Sequence, residues 1–117
     1  MRVLIILNDG PYGSERTYNG LRLALALPKA DPQLQLTLFF MGDGVLAAKA
    51  GQKTPEGFYN VEHMLHRVHA SHGKILVCGS CMDARGFAEA ELTAGAARSS
   101  MDALAAATAA ADKVLVF

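Results

Sequence analysis

An excess of charge of either sign is missing from this chain: its 11 Lys and Arg residues balance 11 Asp and Glu residues. That neutrality argues against nonspecific binding to nucleic acid or to an anionic membrane, both of which draw on surplus cations. No segment approaches the roughly 20 consecutive apolar residues of a membrane span. The opening run Met1-Arg2-Val3-Leu4-Ile5-Ile6-Leu7 is too short for a signal sequence. It breaks at Asn8-Asp9-Gly10 without a small-residue cleavage site. It reads as a first strand, and the expected location is cytoplasmic. Internal repeats and linkers are also missing, and 117 residues suffice for one domain with one core. Tryptophan is absent and cysteine is scarce, with two in the whole chain. In a cytoplasmic protein a close cysteine pair points to catalysis or metal binding before it points to a structural staple.

What the chain does contain is apolar residues in about half its positions, arranged in short continuous runs. Val3 to Leu7, Leu36 to Met41, Ile75 to Cys78 and Val114 to Phe117 read as strands buried on both faces, as a parallel sheet covered by helices requires. Helical segments alternate with them. Ser14 reads as an N-cap with Glu15 in the first turn; Tyr18, Leu21, Ala24 and Leu25 form a stripe, and Pro28 marks the end. Gly42-Asp43-Gly44 turns into a short segment from Val45 to Ala50, stopped by Gly51. The polar stretch from Gln52 to Gly57 reads as loop. Val61, Met64, Leu65 and Val68 make an amphipathic stripe, with Gly73 as the stop. Ser100 caps an Ala-rich helix carrying Met101, Leu104, Ala105 and Thr108 on one face. Residues 82 to 99 admit a short helix and a loop, or a fifth strand. The pattern predicts an α/β protein with a mostly parallel sheet of four strands, or five if that stretch supplies one.

The chemistry concentrates at Cys78-Gly79-Ser80-Cys81, just past the carboxyl end of the third apolar run. Open α/β sheets present their reaction sites at that edge. A thiolate is the reactive form of cysteine, and a helix N-terminus or a nearby cation favours it. The segment Met82 to Gly86 reads as a short helix that would aim free N–H groups at the thiols. Arg85 supplies a cation that could hold a thiolate or persulfide anion. The bland alternative is two reduced, buried small hydrophobes. A papain-like reading fails because Met82 stands where an aromatic is expected and no distant His and Asn can follow. A thioredoxin-like reading is weakened because the pair follows the third strand rather than an early one.

Two other patterns carry less. His63, His66, His69 and His72 recur every third residue, so on a helix each step drifts by about 60° and the four spread over half its circumference. That favours solvated histidines over a zinc site shared with Cys78 and Cys81, and no metal is expected. Gly10-Pro11-Tyr12-Gly13-Ser14 before a helix resembles an anion cradle without the Lys and spacing of a P-loop. Gly10, Tyr12, Gly13 and Ser14 are therefore candidate ligand-binding residues, against the alternative of a tight turn ending in a cap.

Five separated motifs carry a resemblance. They are Asn8 to Glu15, Leu21-Arg22-Leu23-Ala24, Gly51-Gln52-Lys53, Cys78-x-x-Cys81-x-Asp83-x-Arg85-Gly86, and Ala111-Asp112-Lys113-Val114-Leu115. In order and spacing they resemble the DsrE/DsrF-like family over the whole length, within it the YchN-like branch. The resemblance implies a flavodoxin-like α/β/α fold for residues 1–117, a cytoplasmic location and a homohexamer built as a dimer of trimers. Relatives in tRNA 2-thiolation and dissimilatory sulfur oxidation carry sulfur as a cysteine persulfide between partner proteins. Cys78, eight residues before the Gly of the Arg85-Gly86 pair, matches their sulfur-bearing cysteine. Cys81 matches less cleanly, because several sulfur-carrying relatives have another residue there.

The leading expectation is a sulfurtransferase-like carrier that holds sulfane sulfur on Cys78 and exchanges it with protein donors and acceptors. Cys81 is then a resolving thiol, Arg85 and the following helix stabilise the anion, and Asp83 caps that helix or orients Arg85. The alternatives are a dithiol/disulfide redox protein and a non-enzymatic oligomeric binding module. None of the three calls for a cofactor.

Overall fold

The computed structural model describes residues 1–55 and 58–117, so Glu56 and Gly57, the end of the expected polar loop, lie outside the described residues. Strands β1 (Arg2–Leu7), β2 (Gln35–Phe40), β3 (Lys74–Cys78), β4 (Ala96–Ser99) and β5 (Lys113–Val116) form one sheet in the order β4-β3-β2-β1-β5. Every pairing is parallel, including Ile5 with Leu38 and Cys78 with Ser99. The uncertain region from 82 to 99 supplies the fifth strand, β4, on one edge.

Helices α1 (Arg16–Ala30), α2 (Val61–Ala70), α3 (Gly79–Ala84) and α4 (Met101–Ala110) connect the strands. Right-handed crossovers fix their faces. The chain steps one way from β1 to β4, which puts α1 and α2 together on one side. It then crosses back over the sheet to β5, which puts α4 on the other. The result is a three-layer α/β fold. Val3, Ile5, Leu7, Leu38 and Phe40 are buried beneath α1 and α2, with Leu21, Leu65 and Val68 facing them. The α4 side is thinner: Leu104 is the one buried residue of α4 itself, and Met101 and Ala105 of the expected stripe are exposed. The apolar run that forms β5 is not buried on both faces either, since Val116 keeps 65% of its surface exposed.

Several element ends differ from the sequence reading. The first helix begins at Arg16, because the Ser14 hydroxyl donates to Asp9 Oδ2 at 2.7 Å and Thr17 Oγ1 donates to the Asp9 carbonyl. Pro28 lies inside the last turn, where its ring forfeits only one helical hydrogen bond, and the helix runs on to Ala30. At the end of α2 the left-handed residue is His72 (φ 66°) rather than Gly73. The Gly73 N–H donates to the Val68 carbonyl and the His72 N–H to the His69 carbonyl, the pairing of a Schellman cap. Gly73 is needed there for space, since a Cβ would lie 2.6 Å from Val68 Cγ1. The expected Ser100 cap forms, its hydroxyl accepting the Ala103 N–H at 3.2 Å. No helix among the described residues is long and apolar enough to cross a membrane.

Candidate functional site

The carboxyl ends of β1, β2 and β3 lie side by side, and each delivers one loop to the same edge of the sheet. Behind β1 comes Asn8 to Ser14. Behind β2 comes Met41-Gly42-Asp43-Gly44, drawn tight by the Gly44 N–H donating to the Asn8 carbonyl at 3.1 Å. Gly44 is obligatory here, because a Cβ would sit 2.3 Å from the Leu7 carbonyl oxygen. Behind β3 comes the thiol pair.

Helix α3 starts at Gly79, three residues before the expected Met82, because the backbone turns helical as soon as β3 ends. Cys78 is therefore the residue before the first helical turn, and Cys81 is within the helix one turn on. Cys78 is buried and Cys81 half-buried, both as free thiols. Cys78 Sγ lies 3.3 Å from Ser80 Oγ. Burial raises the Cys78 pKa, but hydrogen bonds from the Ser80 hydroxyl, the Cys81 thiol and the backbone N–H groups of Cys81 and Ser80 outweigh it. The net position is below that of an ordinary cysteine. Cys81 moves the other way. Burial raises it first, its hydrogen bond to Cys78 adds to that, and the Gly42 N–H (3.2 Å from Sγ) only partly compensates. The pair is thus polarised, with negative charge favoured on Cys78.

The two charged candidates sit elsewhere than expected. Arg85 does not reach over Cys78. Its Nε and Nη2 donate to Asp43 Oδ1 at 3.0 and 2.9 Å, and its Nη1 donates to the Cys81 carbonyl at 3.0 Å. Its charge acts on Cys81 rather than Cys78. Asp83 neither caps α3 nor orients Arg85. Lying in the helix, it faces β4 and takes the Arg98 guanidinium in a two-point pair at 2.8 and 2.7 Å. That ion pair holds the exposed Asp83 carboxyl below the usual carboxylate range.

The loop from Gly10 to Ser14 is at the same edge but does not share a pocket with the thiols. Tyr12, Gly13 and Ser14 line a cleft of about 550 Å³ with Tyr18, Lys53 and Tyr59. Neither cysteine lines that cleft, and Gly10 instead backs onto the Asp43 carbonyl. Tyr12 Oη donates to Gln52 Oε1 and accepts the Val61 N–H, so it ties the loop to the start of α2. Burial raises the Tyr12 pKa, and the nearby Glu62 adds to this against the opposing Val61 N–H.

Among the described residues no three of His, Cys, Asp and Glu converge as a metal-ligand set. His66 Nε2 lies 2.8 Å from Thr93 Oγ1, and that hydroxyl donates to Glu62 Oε2 at 3.1 Å. This small network is structural, joining α2 to the segment before β4.

Sequence reasoning passed over Gly42, Asp43, Ser80 and Arg98. The turn Gly42-Asp43-Gly44 was legible as the loop of a neighbouring strand at the same edge. Ser80 lies inside the cysteine motif itself. Arg98 carried no signal, because Ala96-Ala97-Arg98-Ser99 lacks the apolar run of an inner strand.

Comparison with known proteins agrees with this architecture. The DsrE/DsrF-like family model matches residues 1–117. Protein YchN of Escherichia coli K12 is 41% identical over 116 residues, covering 99% of this chain and 98% of that one. An uncharacterised protein of Methanocaldococcus jannaschii is 34% identical over 118 residues and covers both chains fully. The crystal structure of the E. coli YchN protein superposes with a TM-score of 0.95 at 40% identity, covering 100% of this chain and 99% of that chain. On the family match, the sequence identity and the shared three-layer fold together, the chain belongs to the DsrE/DsrF-like family.

Proposed function

We propose that this protein is a cytoplasmic sulfur carrier that holds sulfane sulfur as a persulfide on Cys78. The observation that carries this reading is the polarised thiol pair at the carboxyl edge of the sheet, where donors converge on Cys78 while burial disfavours charge on Cys81. In loading, the Cys78 thiolate attacks the outer sulfur of a donor persulfide. A new S–S bond forms on Cys78, and the donor's inner sulfur leaves as a thiolate, without net oxidation or reduction. In delivery, an acceptor thiolate attacks the same outer sulfur and Cys78 leaves as a thiolate. Cys81 offers a second exit. Its thiolate attacks the Cys78 sulfur, hydrosulfide leaves, and the resulting Cys78–Cys81 disulfide is reset by a cellular thiol.

Assembly into a homo-oligomer is part of the proposal. On the α4 side of the sheet Ile6, Thr37 and Leu76 are only half-covered, and Val114 and Val116 are exposed. Such an apolar face favours a partner copy.

The carrier reading is tested by loading the protein with a low-molecular-weight persulfide, removing excess, and treating with cyanide, which releases sulfane sulfur as thiocyanate. Wild type and Cys81→Ser are expected to yield thiocyanate, and Cys78→Ser to yield only background. Equal yield from Cys78→Ser would contradict the assignment. A dithiol redox protein would instead give no thiocyanate and a disulfide that needs both cysteines.

A further inference from the structure

Arg98 projects from β4 one residue before Ser99, which is the register partner of Cys78. Its guanidinium lies across Gly79, so close that a Cβ there would fall 2.7 Å from Cζ and from Nε. Gly79 is the residue between Cys78 and the rest of α3, and its missing side chain leaves the room that the guanidinium fills. Asp83, one turn further along α3, fixes the orientation through both carboxylate oxygens. A long, flexible side chain is thus pinned at one end by an ion pair and seated by shape against the residue that follows the thiol.

We propose that Arg98, rather than the Arg85 of the cysteine motif, is the positioning residue that holds negative charge on the Cys78 sulfur, with Asp83 and Gly79 setting its place. The proposal deepens the carrier reading, because both the attacking thiolate and the loaded persulfide are anions. The charged and titratable groups that bear on Cys78 can be named. Cys81 lies on its own helix and Arg98 on β4; Asp83 and Glu89 act on Arg98, and Arg85 acts on Cys81. The charge on Cys78 is among the causes that raise the Arg98 pKa, after Asp83 and Glu89, and it acts through space with no direct bond.

The test is the pH profile of alkylation at each cysteine, resolved by peptide mass spectrometry on the intact dithiol protein. Arg98→Gln is expected to slow Cys78 alkylation near neutral pH about three- to tenfold and to move its profile to higher pH. Arg98→Lys, which keeps the charge without the fork, is expected to recover most of that loss. Arg85→Gln is expected to move the Cys81 profile more than the Cys78 profile. An unchanged Cys78 profile in Arg98→Gln would overturn the proposal. So would a Lys variant no better than Gln, or a larger Cys78 shift from Arg85→Gln. Sulfane-sulfur loading of wild type is read separately. If wild type takes up no sulfur while the Arg98 variants still shift, the carrier reading fails and the Arg98 assignment stands.

Discussion

At Cys78 two effects compete. Burial opposes a charge on sulfur, and four hydrogen-bond donors within the Cys78–Cys81 segment favour it; the donors prevail. At Cys81 burial prevails. Because thiolate is the reacting form and its fraction rises with pH, Cys78 should alkylate at lower pH than a free cysteine, about 8.5, and Cys81 at higher pH. Site-resolved alkylation between pH 6 and pH 10, a window chosen to bracket that value, measures both; identical profiles would contradict the polarised pair. Removing Ser80 Oγ by Ser80→Ala should move the Cys78 profile upward. The thiols themselves were legible in the sequence, since their spacing and the preceding apolar run need no tertiary knowledge. Their partners were not. Asp83 and Arg85 are two residues apart in sequence, which suggested that they act together. Yet α3 sends Asp83 toward Arg98 of β4 and Arg85 toward Asp43 behind β2.

Among the elements, the loop behind β2 does more for the site than its composition suggests. Gly42, at φ 59°, aims its N–H at Cys81 Sγ, and Gly44 lets the loop lie against the Leu7 carbonyl. Gly44→Ala should cost about 2–3 kcal/mol, because the clash is with backbone rather than a yielding side chain. It should also move the Cys81 alkylation profile; urea unfolding and alkylation check the two effects. Ser100→Ala should cost about 1 kcal/mol through loss of the α4 cap, with little effect on either thiol. The inner strands and α2 were readable because their apolar spacing matches their burial. Helix ends were less so. Ser14 carries the composition of an N-cap but spends its hydroxyl on Asp9, and His72 adopts the left-handed backbone that Gly73 was expected to take. Strand β4 has almost no apolar signature because it is an edge strand, half of it exposed.

Over the whole molecule, the two sides of the sheet are unequal. The side under α1 and α2 is closed, whereas α4 alone covers the other and leaves Val114 and Val116 open. Sedimentation velocity at micromolar concentration should therefore show a species larger than a monomer, and a Val114→Glu/Val116→Glu double variant should shift it toward monomer. A monomeric wild type would contradict that part of the account. The most direct test of the central claim is intact-protein mass spectrometry after incubation with a cysteine desulfurase and cysteine, comparing wild type, Cys78→Ser and Cys81→Ser. The account predicts a reductant-labile gain of one sulfur mass in wild type and Cys81→Ser and none in Cys78→Ser. A gain retained in Cys78→Ser, or no gain of sulfur in Cys81→Ser, where the second exit is closed, would contradict it.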